Sequence, residues 1–358
     1  MPKTAAISVS APVEFPARPR RSFADAAGGL LHGRGLFLIW VLLILFFWAW
    51  AGPMFFSIAN AQLVASAAST TAIFGAALGL CAIAGALDLS VPGVAALSAV
   101  LASQLIVAGV PVWLALILCV LIGVAAGALN GFLIGFGLNP MATTIGTLTV
   151  FGGIASVITN DVPVQLGVPS PLAWLGTTQY FGLPMSVYIA IAIYLLGWLF
   201  LTKTRAGVRM TAVGGSPEGA RRIGLRIQGY KLLGFVLSGA CSAIAGIVVA
   251  SIINQANPSP DVQTLFEALT AVALSGMSLA GGRGSLLRVL LGALIIATVS
   301  DALIIKGIAP SWSIIATGVL LIAALGADLL GSRGISARRI LASLRRAPGD
   351  PQSEQKGA

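Results

Sequence analysis

Charged residues are scarce in this 358-residue chain, in which Asp, Glu, Lys and Arg together make up 9% of the sequence. In soluble domains, roughly a quarter of the residues are charged. Hydrophobic residues make up 57% of the chain, and the mean hydropathy is +0.97. This composition excludes a soluble globular domain and predicts several membrane-spanning segments. The apolar runs are continuous and do not alternate with polar residues, so they predict helices and exclude a β-barrel.

Histidine and cysteine are also rare. The single histidine, His32, lies near the N-terminus, and Cys81, Cys119 and Cys241 lie in apolar runs without the spacing of metal ligands. These residues cannot form a metal cluster, a Ser-His-Asp set or a thiol–imidazole pair. No glycine is followed directly by lysine, so the chain lacks the phosphate-binding loop of ATPases. We therefore expect no catalysis, no metal site, no disulfide framework and no cofactor bound by this chain.

The distribution of positive charge predicts the orientation of the chain. Eighteen of the 21 Lys and Arg residues lie before residue 36, between 203 and 231, or after 330. Because cytoplasmic loops of membrane proteins are rich in Lys and Arg, these regions are predicted to be cytoplasmic. The net charge of +10 is thus explained by topology, and no nucleic-acid partner is expected. Stretches 161–184 and 254–263 contain neither Lys nor Arg and are predicted to lie on the opposite side.

The apolar sequence divides into ten blocks, each close to the roughly 20 residues that cross a bilayer as a helix. The blocks are 36–56, 62–84, 92–110, 112–135, 141–159, 185–201, 232–253, 265–279, 286–305 and 312–330. They predict an all-α polytopic membrane protein with about ten transmembrane helices, some discontinuous, and with both termini in the cytoplasm. The first block is also compatible with a signal peptide cleaved near Ala61, but its length and the blocks that follow favour an uncleaved helix.

The predicted domains follow from these blocks. Residues 1–35 are rich in Pro, Ala and Arg and predict a disordered basic leader in the cytoplasm. Residues 36–330 form the transmembrane domain, which includes the polar segment 203–231. Residues 331–358 form a basic cytoplasmic tail.

Asp88 is the only charged residue or histidine between Leu36 and Val157. A charge at the centre of a membrane helix costs roughly 2.5–3.5 kcal/mol on insertion scales, so such a residue normally faces a polar cavity or a helix break. The surrounding GALDLSVPG (85–93) favours a break, because proline removes a backbone donor and disfavours helical geometry in the preceding residue. Two interpretations remain open. Asp88 and Ser90 line a solute path, or Asp88 lies in a surface loop and caps the next helix.

Further polar residues in the apolar blocks are candidates for the same path. Asn130 lies near the end of the fourth block, and Thr143 and Thr144 lie in a fifth block rich in small and hydroxyl residues. Such a helix suits close packing or a polar lining for a sugar-like solute, although hydroxyls in membrane helices also bond to their own backbone. The remaining carboxylates of the blocks are Glu267, Asp301 and Asp328, of which Glu267 is also assigned to the path. Ion-coupled carriers usually contain several such groups, so a carrier remains an alternative.

Segment 203–231 is the only long polar stretch between two blocks. Within it, SPEGARR (216–222) is typical of a helix start: Ser216 can cap the helix, and Glu218 favours the positive end of the helix dipole. Gly224 is suited to end the helix. The segment therefore predicts a short amphipathic helix on the cytoplasmic face. This helix either docks a partner protein, which Ala220 would allow to approach closely, or anchors to anionic lipid.

Four sequence motifs lie one after another along the chain. They are GALDLSVPG (85–93), PMATTIGTLT (140–149), AVGGSPEGARRIGL (212–225) and MSLAGGRGS (277–285). They resemble GGIDLSVG, PxFIATLGTLT, AIGGNxxAARLSGI and TSLAGGRGS of the permease subunits of bacterial ABC importers for ribose, xylose, arabinose and galactose. The resemblance covers residues 55–330. The related branched-chain amino-acid permeases share the architecture and remain an alternative, although AGGRG and DLSV favour the sugar branch.

This resemblance implies transport of a monosaccharide or a related small polyol, with ATP bound and hydrolysed by a separate ABC ATPase subunit. It further implies a homodimer of this chain, a periplasmic or lipoprotein sugar-binding protein, and a location in the lipid of the bacterial inner membrane. The residues it assigns to ATPase coupling are Gly214, Gly215, Ser216, Glu218, Ala220, Arg221 and Gly224. The chain departs from the family pattern at Pro92, Gly152, Ser216 and Glu267.

Overall fold

A computed structural model describes residues 23–278, 281–282 and 284–332, with side chains described between residues 35 and 326. Residues 1–22 of the predicted leader and the tail beyond Ser332 lie outside the described residues, whereas residues 23–35 of that leader are helical and belong to the first helix. The structure is almost entirely helical, as expected from the continuous apolar runs. Each of the ten apolar blocks lies in or largely overlaps a helix, and the first of them extends into a following 3₁₀ turn.

The described residues form helices and two short two-stranded sheets. The helices are α1 (Phe23–Ala51), α2 (Ile58–Ile83), α3 (Val91–Val107), α4 (Val112–Gly135), α5 (Pro140–Thr159), α6 (Ala173–Gly176), α7 (Met185–Lys203), α8 (Arg205–Gly215), α9 (Pro217–Arg222), α10 (Ile227–Ile253), α11 (Val262–Leu274), α12 (Leu286–Ile305) and α13 (Ser311–Ser332). The strands are β1 (Val164–Gln165), β2 (Gln179–Tyr180), β3 (Leu183–Pro184) and β4 (Gln255–Ala256). A 3₁₀ turn (Pro53–Phe56) connects α1 with α2.

Six helices of the described chain are long and apolar enough to cross a membrane, namely α2, α4, α5, α7, α10 and α12. Four shorter apolar helices accompany them: part of α1, α3, α11 and part of α13. The protein is therefore a multi-pass membrane protein. The count of ten spans and the cytoplasmic position of both termini stay predictions.

Glycines bring α4 and α10 into backbone contact. Gly123, Gly127 and Gly131 follow one another at intervals of four residues, so they share one face of α4. A Cβ atom on Gly123 would lie 2.6 Å from the Cβ of Ala243, and one on Gly131 would lie 2.8 Å from the Cα of Leu232. Without side chains at these positions, the two helices approach closely enough for extensive van der Waals contact, which drives helix association in lipid.

Short strands pair the two connections that contain neither Lys nor Arg. Strand β1 pairs antiparallel with β4, with Val164 opposite Ala256 and Gln165 opposite Gln255. The side chains of the second pair also bond, because Gln165 Nε2 donates to Gln255 Oε1 at 2.7 Å. The two connections without Lys or Arg therefore lie at the same end of the helices, as their shared composition predicts.

Candidate functional site

The predicted break is present between α2 and α3. Helix α2 ends at Ile83 and α3 begins at Val91, so residues 84–90 connect two buried apolar helices without helical structure of their own. Pro92 lies in the first turn of α3, where a missing N–H removes no helical hydrogen bond. The GALDLSVPG motif thus forms the break and the start of the next helix.

Asp88 lies at the centre of a hydrogen-bond network in this break, which ends at Asn130, whose buried Oδ1 has no partner. Its side chain is fully buried. Oδ1 accepts from the backbone N–H of Ser90 at 3.0 Å and from Ser90 Oγ at 2.6 Å, and Oδ2 accepts from Ser238 Oγ at 2.8 Å. Asn130 Nδ2 donates to Ser90 Oγ at 2.7 Å. Three donors to one carboxyl offset much of the cost of removing it from water. The bond from Ser238 ties the break to α10, and the bond from Asn130 to Ser90 ties it to α4.

The structure therefore brings together three residues that sequence reasoning assigned to the path, Asp88, Ser90 and Asn130. The interpretation of Asp88 as a helix cap in a surface loop is wrong, because Asp88 is fully buried and no side chain caps the start of α3 by a hydrogen bond. Ser238 was missed, since one hydroxyl in an apolar block has no distinguishing signal in the sequence. The role of this network in solute passage stays a prediction.

The remaining path candidates make different contacts. Thr144 is buried, and its Oγ1 donates to the carbonyl of Pro140 at 2.9 Å within its own helix; its neighbour Thr143 is half-buried. Glu267 is half-buried and accepts from Thr71 Oγ1 at 3.3 Å and from Gln263 Nε2 at 3.2 Å. The Thr144 bond belongs to the helix backbone, and Glu267 joins α11 to α2 in a hydrogen-bonded group of its own.

A cavity of about 190 Å³ lies between α2, α3, α10, β4 and the start of α11. Its apolar lining includes Phe74 of α2 and Pro92 from the break motif. Its polar lining comes from the segment between α10 and α11 and from the first turn of α11: Gln255, Asn257, Ser259, Asp261 and Thr264. A few polar groups placed beside an apolar surface are typical of small-molecule sites. Sequence reasoning missed these polar residues, because an irregular connection has no periodic pattern.

The polar segment contains two helices where one was expected. The predicted start of α9 is confirmed: Ser216 Oγ accepts from the N–H of Gly219 at 3.2 Å, with Pro217 in the first helical position. The predicted end is also confirmed, since Gly224 has a φ of +80°, a left-handed conformation that favours glycine at this position.

Helix α8 was not predicted. Thr204 caps it by accepting from the N–H of Gly207 at 3.0 Å. Its buried residues are Gly207, Met210, Val213 and Gly214. Their spacing of three, three and one residues along RAGVRMTAVGG is the sequence signal of this amphipathic helix.

The coupling residues divide between the interior and the surface. Gly214 is buried, and Ala220 is only 4% exposed, so both pack inside the chain. Ile223 is 73% exposed and presents an apolar side chain at the end of α9. The exposed members of the predicted set are Gly215, Ser216, Glu218, Arg221 and Gly224.

Three of the four sequence motifs meet at a junction of glycines, which we call the glycine junction: Gly85, Gly214, Gly281 and Gly282. A Cβ atom on Gly214 would lie 2.9 Å from the N of Gly85 and 3.0 Å from the N of Gly282, and it would also overlap the carbonyl oxygen of Ile83. A Cβ on Gly281 would lie 2.6 Å from the Cα of Gly85. The backbone of the break, the end of α8 and the AGGRG loop are thus in direct contact. Leu279, Ala280 and Arg283 of the last motif lie outside the described residues.

Comparison with known proteins agrees with these motifs. Residues 60–325 match the family described as the permease component of the branched-chain amino acid transport system. The ribose import permease protein of Haemophilus influenzae is 30% identical over 286 residues, which are 78% of this chain and 88% of that protein. The D-allose transport system permease protein of Escherichia coli is 30% identical over 84% of this chain and 92% of its own length. The L-arabinose transport system permease protein of Escherichia coli is 32% identical over 76% of this chain and 83% of its own length. No solved structure matches the chain. The chain therefore belongs to the branched-chain amino acid transport system permease family.

Proposed function

We propose that this chain is the permease subunit of an ATP-binding-cassette importer that carries a monosaccharide or a related small polyol across the bacterial inner membrane. One observation carries the proposal: similarity over three quarters or more of the chain to import permeases for ribose, allose and arabinose. The amino-acid description of the wider family does not contradict it, because those three sugar permeases also resemble this chain over most of its length.

The energy for transport comes from a separate ATPase subunit. The sequence contains no phosphate-binding loop, so ATP is bound and hydrolysed by the partner. Two copies of this chain form the permease, and a sugar-binding protein delivers the solute from outside. Solute selection resides mainly in that binding protein, since the permease offers small residues and hydroxyls without the charged pair that would hold an amino-acid zwitterion.

The coupling segment, α8 and α9, passes the movement of the ATPase to the membrane. Its exposed face, with Ile223 and Arg221, contacts the ATPase. Its buried face contacts the break through Gly214 and Gly85, where two backbones touch without intervening side chains. Such a contact transmits a displacement directly, because backbone atoms cannot move aside by changing rotamer. The solute path passes close to the break, with Asp88, Ser90, Asn130, Thr143, Thr144 and Glu267 as its polar groups.

Transport by reconstituted vesicles tests this function. The chain is inserted into liposomes with its ATPase inside the lumen, and uptake of labelled ribose, allose, arabinose and leucine is measured. We expect one of the sugars to enter only when ATP is enclosed and the binding protein is present outside. Undiminished uptake driven by a sodium or proton gradient would instead assign the chain to the ion-coupled carriers, and uptake of leucine alone would assign it to amino-acid import.

A further inference from the structure

Four cationic side chains surround two adjoining cavities at the turn between α9 and α10. One cavity, of about 480 Å³, is lined by Arg221, Arg226 and Lys231 together with Gln228. The other, of about 420 Å³, is lined by Arg209, Arg226 and Tyr230. None of the residues lining either cavity is acidic. We call these two cavities together the cationic hollow, and its charge suits an anionic group.

An apolar groove continues from the first of these cavities along the end of α4. Gly135, Phe132 and Phe136 line the groove, and Gln228 and Gly229 belong both to it and to the cationic cavity. Phe132 is 59% exposed and Phe136 is 75% exposed, with ring centroids 4.6 Å apart. No atom lies within 4 Å of the position that a Cβ on Gly135 would take, so the groove is open at this residue.

A hydrogen bond joins α4 to α10 at the point where the cationic cavity meets the apolar groove. Gln228 Nε2 donates to the carbonyl oxygen of Gly135 at 2.8 Å, which fixes the start of α10 against the end of α4. The cationic hollow and the apolar groove thus form one continuous surface, basic at one end and apolar at the other. An ion such as phosphate would use only the basic end. A phospholipid uses both, because its phosphate is anionic and its acyl chains are apolar.

We propose that this surface binds one anionic phospholipid, with the phosphate beside Arg226 and Lys231 and an acyl chain in the groove over Gly135. The occupant is a lipid of the surrounding membrane, since the groove lies on an apolar helix that is long enough to cross the bilayer. Basic hollows between membrane helices on the cytoplasmic side are typical sites for such headgroups. The proposal depends on the chain being a membrane protein and not on which solute it transports.

Lipid retention by the purified full-length chain tests this site. The chain in mild detergent is titrated with phosphatidylglycerol or with phosphatidylcholine of the same acyl length, and bound lipid is counted by native mass spectrometry. We expect Arg226→Gln with Lys231→Gln to weaken phosphatidylglycerol binding roughly 10- to 30-fold and to leave phosphatidylcholine unchanged. Arg205→Gln is the matched control, because Arg205 is exposed and lines none of the three cavities.

A second variant separates a lipid from a free anion. Gly135→Leu places a side chain in the open groove without changing any cation, and we expect it to weaken phosphatidylglycerol binding. We also expect that adding inorganic phosphate does not change the melting temperature of the chain. Melting temperatures without lipid establish that each variant is folded, and Phe136→Ser replaces Gly135→Leu if that variant fails this check. The lipid site would be overturned if inorganic phosphate raised the melting temperature as much as phosphatidylglycerol does and if Gly135→Leu did not weaken phosphatidylglycerol binding. Wild-type lipid binding by the Arg226, Lys231 double variant, with loss of ATPase co-purification, would overturn it in favour of a protein interface.

Discussion

Gly214 offers the sharpest test of the link between the coupling segment and the break. Replacing it by alanine introduces a Cβ that would lie 2.9 Å from the N of Gly85 and 3.0 Å from the N of Gly282, and would overlap the carbonyl oxygen of Ile83. All three are backbone atoms of other segments, so the overlap is relieved only by moving α8 away from the break. Overpacking of this kind costs about 1–3 kcal/mol, against which alanine recovers about 0.5–1 kcal/mol of helix propensity. We expect a net loss of stability of roughly 1–2 kcal/mol.

The neighbouring glycine provides the matched control. A Cβ on Gly215 would lie 3.7 Å from its nearest atom, the carbonyl oxygen of Gly282, which is an ordinary van der Waals distance. Gly215→Ala should therefore melt close to the wild-type temperature, whereas Gly214→Ala should melt lower in the same detergent. In vesicles with the ATPase, Gly214→Ala should also transport less solute for each ATP hydrolysed, because α8 no longer contacts the break. Equal melting temperatures for the two variants would refute the reasoning from backbone contact.

Three further predictions concern the break, the loop opposite α5 and the surface of α9. Asp88→Ala removes the acceptor for three hydrogen bonds, and we expect lower solute uptake with ATPase binding retained. Normal uptake would reject a role of Asp88 in the solute path. A variant that fails to accumulate in the membrane would assign Asp88 to the structure of the break. Gly152→Ala should destabilise the chain by about 1–3 kcal/mol in thermal unfolding, because its Cβ would lie 2.5 Å from Pro260 Cγ. Gly153→Ala should be neutral, because no atom lies within 4 Å of its Cβ position. A lower melting temperature for Gly153→Ala than for Gly152→Ala would contradict this packing. Ile223→Glu should release the ATPase during co-purification without lowering the melting temperature of the chain, since Ile223 is largely exposed; retention of the ATPase with normal solute-stimulated hydrolysis would show that α9 is not the docking element.

Several features could be predicted from the sequence because they depend on local chemistry. Continuous apolar runs predicted the helices, since a helix satisfies its own backbone hydrogen bonds in lipid. Pro92 and the glycines around Asp88 predicted the break, and Ser216 with Gly224 predicted the ends of α9. Each of these signals lies within a few residues of the structure that it predicts. The family resemblance rested on four such local motifs.

Only the tertiary structure decided which distant residues meet. Ser238 lies 150 positions from Asp88 and yet donates to its carboxyl, and the glycine junction joins residues near 85, 214 and 282. Ala220 resembled a surface residue in the sequence, but it is buried in the structure, where α9 packs against α8 and α10. A small or hydroxyl residue has the same local signal whether it faces lipid, a neighbouring helix or a cavity. Its environment is determined by the packing of α2, α4 and α10 around it, which no short stretch of sequence specifies.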